Sequence, residues 1–166
     1  MNPLFNKDKY SVAILTMSDS GSKDNKIDEC ESAIYDVVLD YDWKIVHTSI
    51  MPDNYLKIQD ELLLCTDKMH VTLVLTTGGT GISFRDLTPE ATTAVLHREL
   101  RGIPEIMRTE IAKVSTSEAI VARGVAGIRN NTLVINLPDE AESIRIGLRA
   151  VMSSLKNVVE ELIVSK

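Results

Sequence analysis

Leu75-Thr76-Thr77-Gly78-Gly79-Thr80-Gly81-Ile82-Ser83-Phe84-Arg85-Asp86-Leu87-Thr88-Pro89-Glu90-Ala91 is the stretch that sets the fold class and locates the chemistry. The apolar run over 71–76 reads as a strand buried on both faces, and it runs into three glycines within four residues. A polar loop follows. Thr88 and Pro89 then have the chemistry of a helix N-cap and first helical position, opening a helix expected to reach about residue 100. Glycines in such a turn let the backbone approach a ligand closely, and their amides can hold phosphate oxygens. No Gly-Lys-Ser/Thr follows and the GxGxxG spacing is absent, so this is neither a nucleotide P-loop nor a dinucleotide fingerprint. By spacing alone, a phosphate-binding turn and a purely structural tight turn remain equally open.

Outward from this segment, strands and helices alternate. Residues 11–16 hold Val12, Ala13, Ile14 and Leu15 in an unbroken apolar run, ending in Ser18-Asp19-Ser20-Gly21. Cys30, Ile34, Val37 and Val38 recur at helical spacing, and residues 43–49 read as a second strand. Asp53 stands where a helix cap would stand, ahead of Tyr55, Ile58 and Leu62, and that helix should run to about Thr66. Beyond residue 100, helices are expected over 103–114 and around 117–123. Residues 126–128 and 133–136 flank Arg129-Asn130-Asn131 as a hairpin, and an amphipathic final helix carries Ile144, Leu148, Val151, Leu155, Val158, Val159 and Leu162. The expected class is α/β: a three-layer αβα sandwich with a mostly parallel central sheet and a short antiparallel edge.

With 166 residues, the chain is expected to form a single domain, with residues 1–9 flexible. Its 44% hydrophobic and 25% charged residues exclude general disorder. No apolar run approaches the roughly 20 residues that span a bilayer, and the first nine residues lack a secretory apolar stretch, so a cytoplasmic protein is expected. Eighteen basic against 24 acidic residues give a net charge of −6 with no basic cluster, which disfavours nucleic acid as a partner. Cys30 and Cys65 match no CxxC pattern and read as buried thiols. His47, His70 and His97 fall in three different elements without HxxxH spacing, so no zinc site is expected. Arg101, Arg108, Arg123, Arg145 and Arg149 read as helix-face or loop charges.

Asp86 closes the glycine loop and Asp53 follows a strand, so both carboxylates should emerge on one rim of the sheet. Two carboxylates and substrate phosphates suffice to hold Mg²⁺ without a dedicated cage. At these residues the sequence resembles the molybdenum-cofactor biosynthesis family, which includes molybdopterin adenylyltransferases and the corresponding domain of gephyrin. The resemblance rests on the TTGGTG and RDLTPEA segments, supported by Ser18-Asp19, Pro52-Asp53, Glu105-Ile106-Met107-Arg108, residues 117–123, and Ala126-Gly127-Ile128-Arg129 leading to residues 132–138.

That resemblance implies a molybdopterin-binding domain, commonly a homotrimer, using ATP with Mg²⁺ to transfer AMP to the pterin's terminal phosphate. It implies Asp53 and Asp86 as catalytic acids and Mg²⁺ partners. It also implies Ser18, Asp19, Thr77, Gly78, Gly79, Thr80, Gly81, Thr88, Pro89 and Glu90 around the nucleotide and pterin phosphates. Arg85, Pro138 and Ser143 would be secondary. The chain departs from the family where members usually continue Leu-Pro-Gly-x-Pro-Lys, reading Leu137-Pro138-Asp139-Glu140-Ala141-Glu142 instead. At a helix start each acid is favoured by about 0.3–1 kcal/mol. Facing a phosphate ~4 Å away at an effective dielectric of about 20, one carboxylate would oppose binding by roughly 4 kcal/mol. Three readings follow: an adenylyltransferase, a non-catalytic pterin-binding or assembly paralogue of the same fold, or an unrelated Mg²⁺-dependent nucleotide hydrolase.

Overall fold

The computed structural model describes residues 10–19 and 25–164, apart from the side chain of Asp28. The expected flexibility of residues 1–9 lies outside the described residues. Along the chain run β1 (Ser11–Met17), α1 (Asn25–Asp40), β2 (Lys44–Met51), α2 (Tyr55–Leu63), β3 (Leu73–Thr77), α3 (Thr88–Val95) and β4 (Arg98–Glu99). Then come α4 (Gly102–Ala112), α5 (Thr116–Val121), β5 (Ala126–Arg129), β6 (Thr132–Asn136) and α6 (Ala141–Val164). The six strands form one sheet in the order β2-β1-β3-β6-β5-β4. The pairs β2–β1, β1–β3 and β3–β6 are parallel, and β6–β5 and β5–β4 are antiparallel.

Alternation of side chains along each strand builds two core layers. Val12, Ile14, Leu73, Leu75, Leu133 and Ile135 pack beneath α1, α4 and α6. Ala13, Leu15, Val74 and Val134 point the other way and pack against Ile58 and Leu62 of α2 and Ala91 and Val95 of α3. The result is the expected αβα sandwich. All seven residues of β1 and all five of β3 are buried, as the continuous apolar runs required. Because β1, β2 and β3 are parallel, with Met17 opposite Met51 and Thr16 opposite Thr77, their carboxyl ends finish along one edge.

Three local expectations need correction. The helix opened at Thr88 does not reach residue 100: it stops at Val95, and Leu96 turns to extended backbone. There the His97 amide donates to the Ile128 carbonyl and the Leu100 amide to the Ala126 carbonyl, both at 2.8 Å, so a short edge strand outcompetes further helix. Asp53 is not the cap of α2, because Asn54 takes that place and accepts from the Lys57 amide at 3.1 Å. Thr88 is likewise inside the first turn of α3 rather than its cap, which falls on Leu87 without a side-chain bond.

Candidate functional site

Past the carboxyl ends of β1, β2 and β3 lies a cavity of about 360 Å³, where open parallel sheets hold ligands. Ser18 and Asp19 reach it from the end of β1, Asp53 from the end of β2, Thr77 from the last position of β3, and Gly78, Gly79 and Asp86 from the loop that follows. Lys26, Ile27 and Cys30 of α1 and Asp139 ahead of α6 complete the wall. The glycine turn is set by its backbone. Gly78 has φ +87° and Gly79 φ +65°, a region that costs a residue with a Cβ. A Cβ on Gly79 would also collide with Asp53 Oδ1 and Thr88 Oγ1, so the turn lies directly on the carboxylate. Thr88 fastens it, with its hydroxyl donating to the Gly78 carbonyl at 3.0 Å and its amide to the Gly79 carbonyl at 3.1 Å.

Asp53 is the electrostatic centre. Its Oδ1 is, among the described residues, the one buried side-chain nitrogen or oxygen without a hydrogen-bond partner. Burial, then the charges of Asp19 and Asp86, push its carboxyl up from 3.8 to about 6, and Arg85 offsets part of this. An unpaired buried oxygen among like charges is a group that lacks a cation or a proton. Asp19 ties the acids together, accepting from the Asp53 amide at 3.2 Å and pairing with Arg85 at 2.5 Å. Asp86 is held by its own loop, its Oδ2 accepting from the Ser83 amide at 2.7 Å. The carboxylates of Asp19, Asp53 and Asp86 all line the cavity, and oxygen donors of this hard kind are the ones that Mg²⁺ takes.

The other residues singled out from the sequence lie outside this wall. Thr80 is buried and its hydroxyl donates to the Leu137 carbonyl at 3.4 Å, while the Thr77 hydroxyl donates to the Pro138 carbonyl at 2.8 Å. Gly81, Thr88, Pro89 and Glu90 form the back of the loop and the start of α3, and Ser143 is buried in the first turn of α6. Arg85 pairs with Asp19 rather than with its neighbour Asp86.

The acidic run divides between its two expected roles. Glu140 accepts from the amides of Ser143 at 2.7 Å and Glu142 at 3.1 Å, which caps α6. Burial works against its charge, yet those two amides together with the Ser143 hydroxyl and the Lys26 charge hold the carboxyl below its usual range. Asp139 faces the cavity and pairs with Lys26 Nζ at 3.2 Å, and Glu142 is exposed.

Two groups that support the loop escaped the sequence reading. Arg123, read there as an ordinary loop charge, donates to the Gly81 carbonyl at 2.6 Å and the Asp86 carbonyl at 2.8 Å and pairs with Glu90. It thereby clamps both ends of the segment that carries Asp86. Buried Asn136 donates to Thr76 Oγ1 and Thr92 Oγ1, each at 2.9 Å, and accepts from the Val125 amide at 3.2 Å. A lone asparagine ending an otherwise apolar strand was the available signal for the second. For Arg123 nothing nearby in sequence names its partners.

An αβα sandwich with a glycine turn at the carboxyl edge of a parallel sheet has the architecture in which α/β domains bind ligands. The family described as "Probable molybdopterin binding domain" matches residues 13–157, and the chain belongs to it. A molybdopterin adenylyltransferase of Helicobacter pylori is 40% identical over 152 residues, covering 90% of this chain and 85% of that protein. Gephyrin of Dictyostelium discoideum is 31% identical over 163 residues, 92% of this chain but 22% of its own length. The solved structure of the molybdopterin biosynthesis enzyme MoaB from Thermus thermophilus superposes with a TM-score of 0.85 at 37% identity, covering 92% of this chain and 96% of that one.

Proposed function

We propose that this protein acts in molybdenum-cofactor biosynthesis, transferring AMP from ATP to the terminal phosphate of molybdopterin with Mg²⁺. The observation that carries this reading is the unpartnered, buried Oδ1 of Asp53 beside Asp19, Asp86 and the Gly78-Gly79 turn. The relatives named molybdopterin adenylyltransferase support the reaction class. In this transfer a phosphate oxygen of the pterin attacks the α-phosphorus of ATP, a new phosphoric anhydride forms, the α–β bridge breaks, and pyrophosphate leaves. The attacking oxygen is already an anion, so no side chain has to remove its proton. The protein's part is to align two polyanions and offset their repulsion.

Asp53 and Asp86, with Asp19 beside them, would hold Mg²⁺ through the substrate phosphates; the bound ion supplies neutralising charge between the reacting anions. The amides of the Gly78-Gly79 turn would bind phosphate oxygens, with Ser18 and Thr77 beside them in the cavity wall. Thr80, Gly81, Thr88, Pro89 and Glu90 shape this loop from behind, with Pro138 and Ser143 supporting the opposite wall. Lys26, paired with Asp139 in the cavity wall, adds a positive charge there. Incubating the protein with ATP, Mg²⁺ and molybdopterin should yield adenylylated pterin and one pyrophosphate per turnover. Absence of both products sinks the proposal.

Asp139 in the cavity wall favours a second reading, a non-catalytic pterin-binding or assembly protein. Calorimetric binding of molybdopterin without turnover would select it. We further read the chain as one domain that assembles as a homotrimer and works in the cytoplasm, where ATP is abundant. Exposed apolar residues on the site loop support assembly, and no described helix is long and apolar enough to cross a membrane.

A further inference from the structure

On the opposite side of the sheet from α1, the floor beneath α2 brings together three side chains that share no sequence pattern. His47 Nε2 lies 2.7 Å from Glu61 Oε1, and a ring nitrogen of His47, a carboxylate oxygen of Glu61 and Cys65 Sγ all fall within 4.8 Å of one another. We propose that His47, Glu61 and Cys65 form a binding site for a borderline transition-metal ion of the Zn²⁺ class, separate from the phosphate site.

Backbone geometry aims the histidine. In the β1–β2 ladder Val12 pairs with Ile45 but Ala13 pairs with His47, so the register skips Val46. A bulge of this kind rotates the residue that follows it, and here it places His47 opposite Ala13, whose side chain lies in the same core layer as Cys65. Without the skip, position 47 would fall on the α1 side, away from both partners. Glu61 and Cys65 stand four residues apart where α2 continues into the turn Leu64–Lys68, which stacks them on one helix face.

Chemistry selects the ion. One thiolate, one imidazole and one carboxylate match the mixed sulfur, nitrogen and oxygen donors that Zn²⁺ takes at about 2.0–2.3 Å, and exclude Mg²⁺ and Ca²⁺, which take oxygen. Tetrahedral bonds of that length separate donors by about 3.3–3.6 Å, so His47 and Glu61 need to part by well under 1 Å. Binding releases the Cys65 thiol proton to solvent, while the neutral imidazole keeps its one ring hydrogen, which passes from Nε2 to Nδ1, so one proton leaves per ion bound. Cys65 is wholly buried, whereas the His47 and Glu61 side chains are 25% and 22% exposed, which leaves the fourth position to water and gives the ion a path in.

The test uses the full chain, stripped with a chelator and titrated with Co²⁺ as a coloured stand-in for Zn²⁺. One equivalent should raise an intense near-ultraviolet thiolate-to-cobalt band and the visible bands of a tetrahedral ion, and an equivalent of Zn²⁺ should bleach both. Cys65→Ser should abolish the thiolate band, and His47→Gln should weaken affinity about tenfold or more. Circular dichroism on each variant separates loss of ligands from loss of fold. A protein that shows no band at stoichiometric Co²⁺, or a band that persists in folded Cys65→Ser, overturns the site. Neither result depends on turnover at the phosphate site.

Discussion

At Asp53, burial and the neighbouring carboxylates favour the protonated form, so the folded chain holds this proton more tightly than the unfolded one. Stability from this group is therefore present below about pH 4 and is lost as pH rises toward the folded value of about 6. Asp53→Asn should melt at the same temperature as the parent near pH 4 and higher above pH 6, by about 1 kcal/mol after allowing for solvent screening of a half-buried group. Millimolar Mg²⁺ with ATP should raise the parent's melting temperature at pH 8 and leave the variant's nearly unchanged, as calorimetric scans would record. Asp86→Asn keeps an acceptor for the Ser83 amide, so the fold should persist while turnover falls about a hundredfold or more, read from pyrophosphate release. Parent-like turnover would remove Asp86 from the chemistry. That both acids reach one rim was legible in sequence, because residues just past parallel strands must emerge together. That Asp53 leaves the capping role to Asn54 was not, since both are good caps and a shift of one residue decides between them.

Among the elements, the loop between β3 and α3 depends on a residue 37 positions after Asp86. The Arg123 fork meets two backbone carbonyls, and these lose their partner if it is truncated. Arg123→Ala should destabilise the protein by about 2–3 kcal/mol and lower turnover; Arg123→Lys should recover little, because one ammonium cannot span both carbonyls. Thermal melts with steady-state kinetics check both, and an alanine variant with parent stability and rate would show the clamp to be idle. Periodicity found the strands and helices that bury a face. It overlooked β4, whose Arg98 and Glu99 are exposed and carry no alternating pattern; pairing with β5 alone makes them a strand. Local propensity favours continuing a helix opened by Thr-Pro, and the edge of the sheet overrules it.

For the molecule as a whole, the parallel sheet was readable from its buried runs, but its outer surface was not, because an exposed apolar residue reads in sequence like a core one. Phe84 is 91% exposed and Ile82 77% exposed on the same loop that carries Asp86. Large apolar side chains left in water mark contact surfaces. Light scattering should give three times the chain mass, and Phe84→Ser should shift it toward one; a parent that is monomeric at all concentrations rules out the trimer. The two core layers have a further consequence. The groups in the cavity wall sit at strand ends, in the loop after β3 and in the first two turns of α1, while the bodies of β1 and β3 are buried and mostly apolar. Ligand preference can thus drift through exchanges at the rim with the load of holding the molecule together borne elsewhere, and an acid such as Asp139 is tolerated there because no part of the core leans on it.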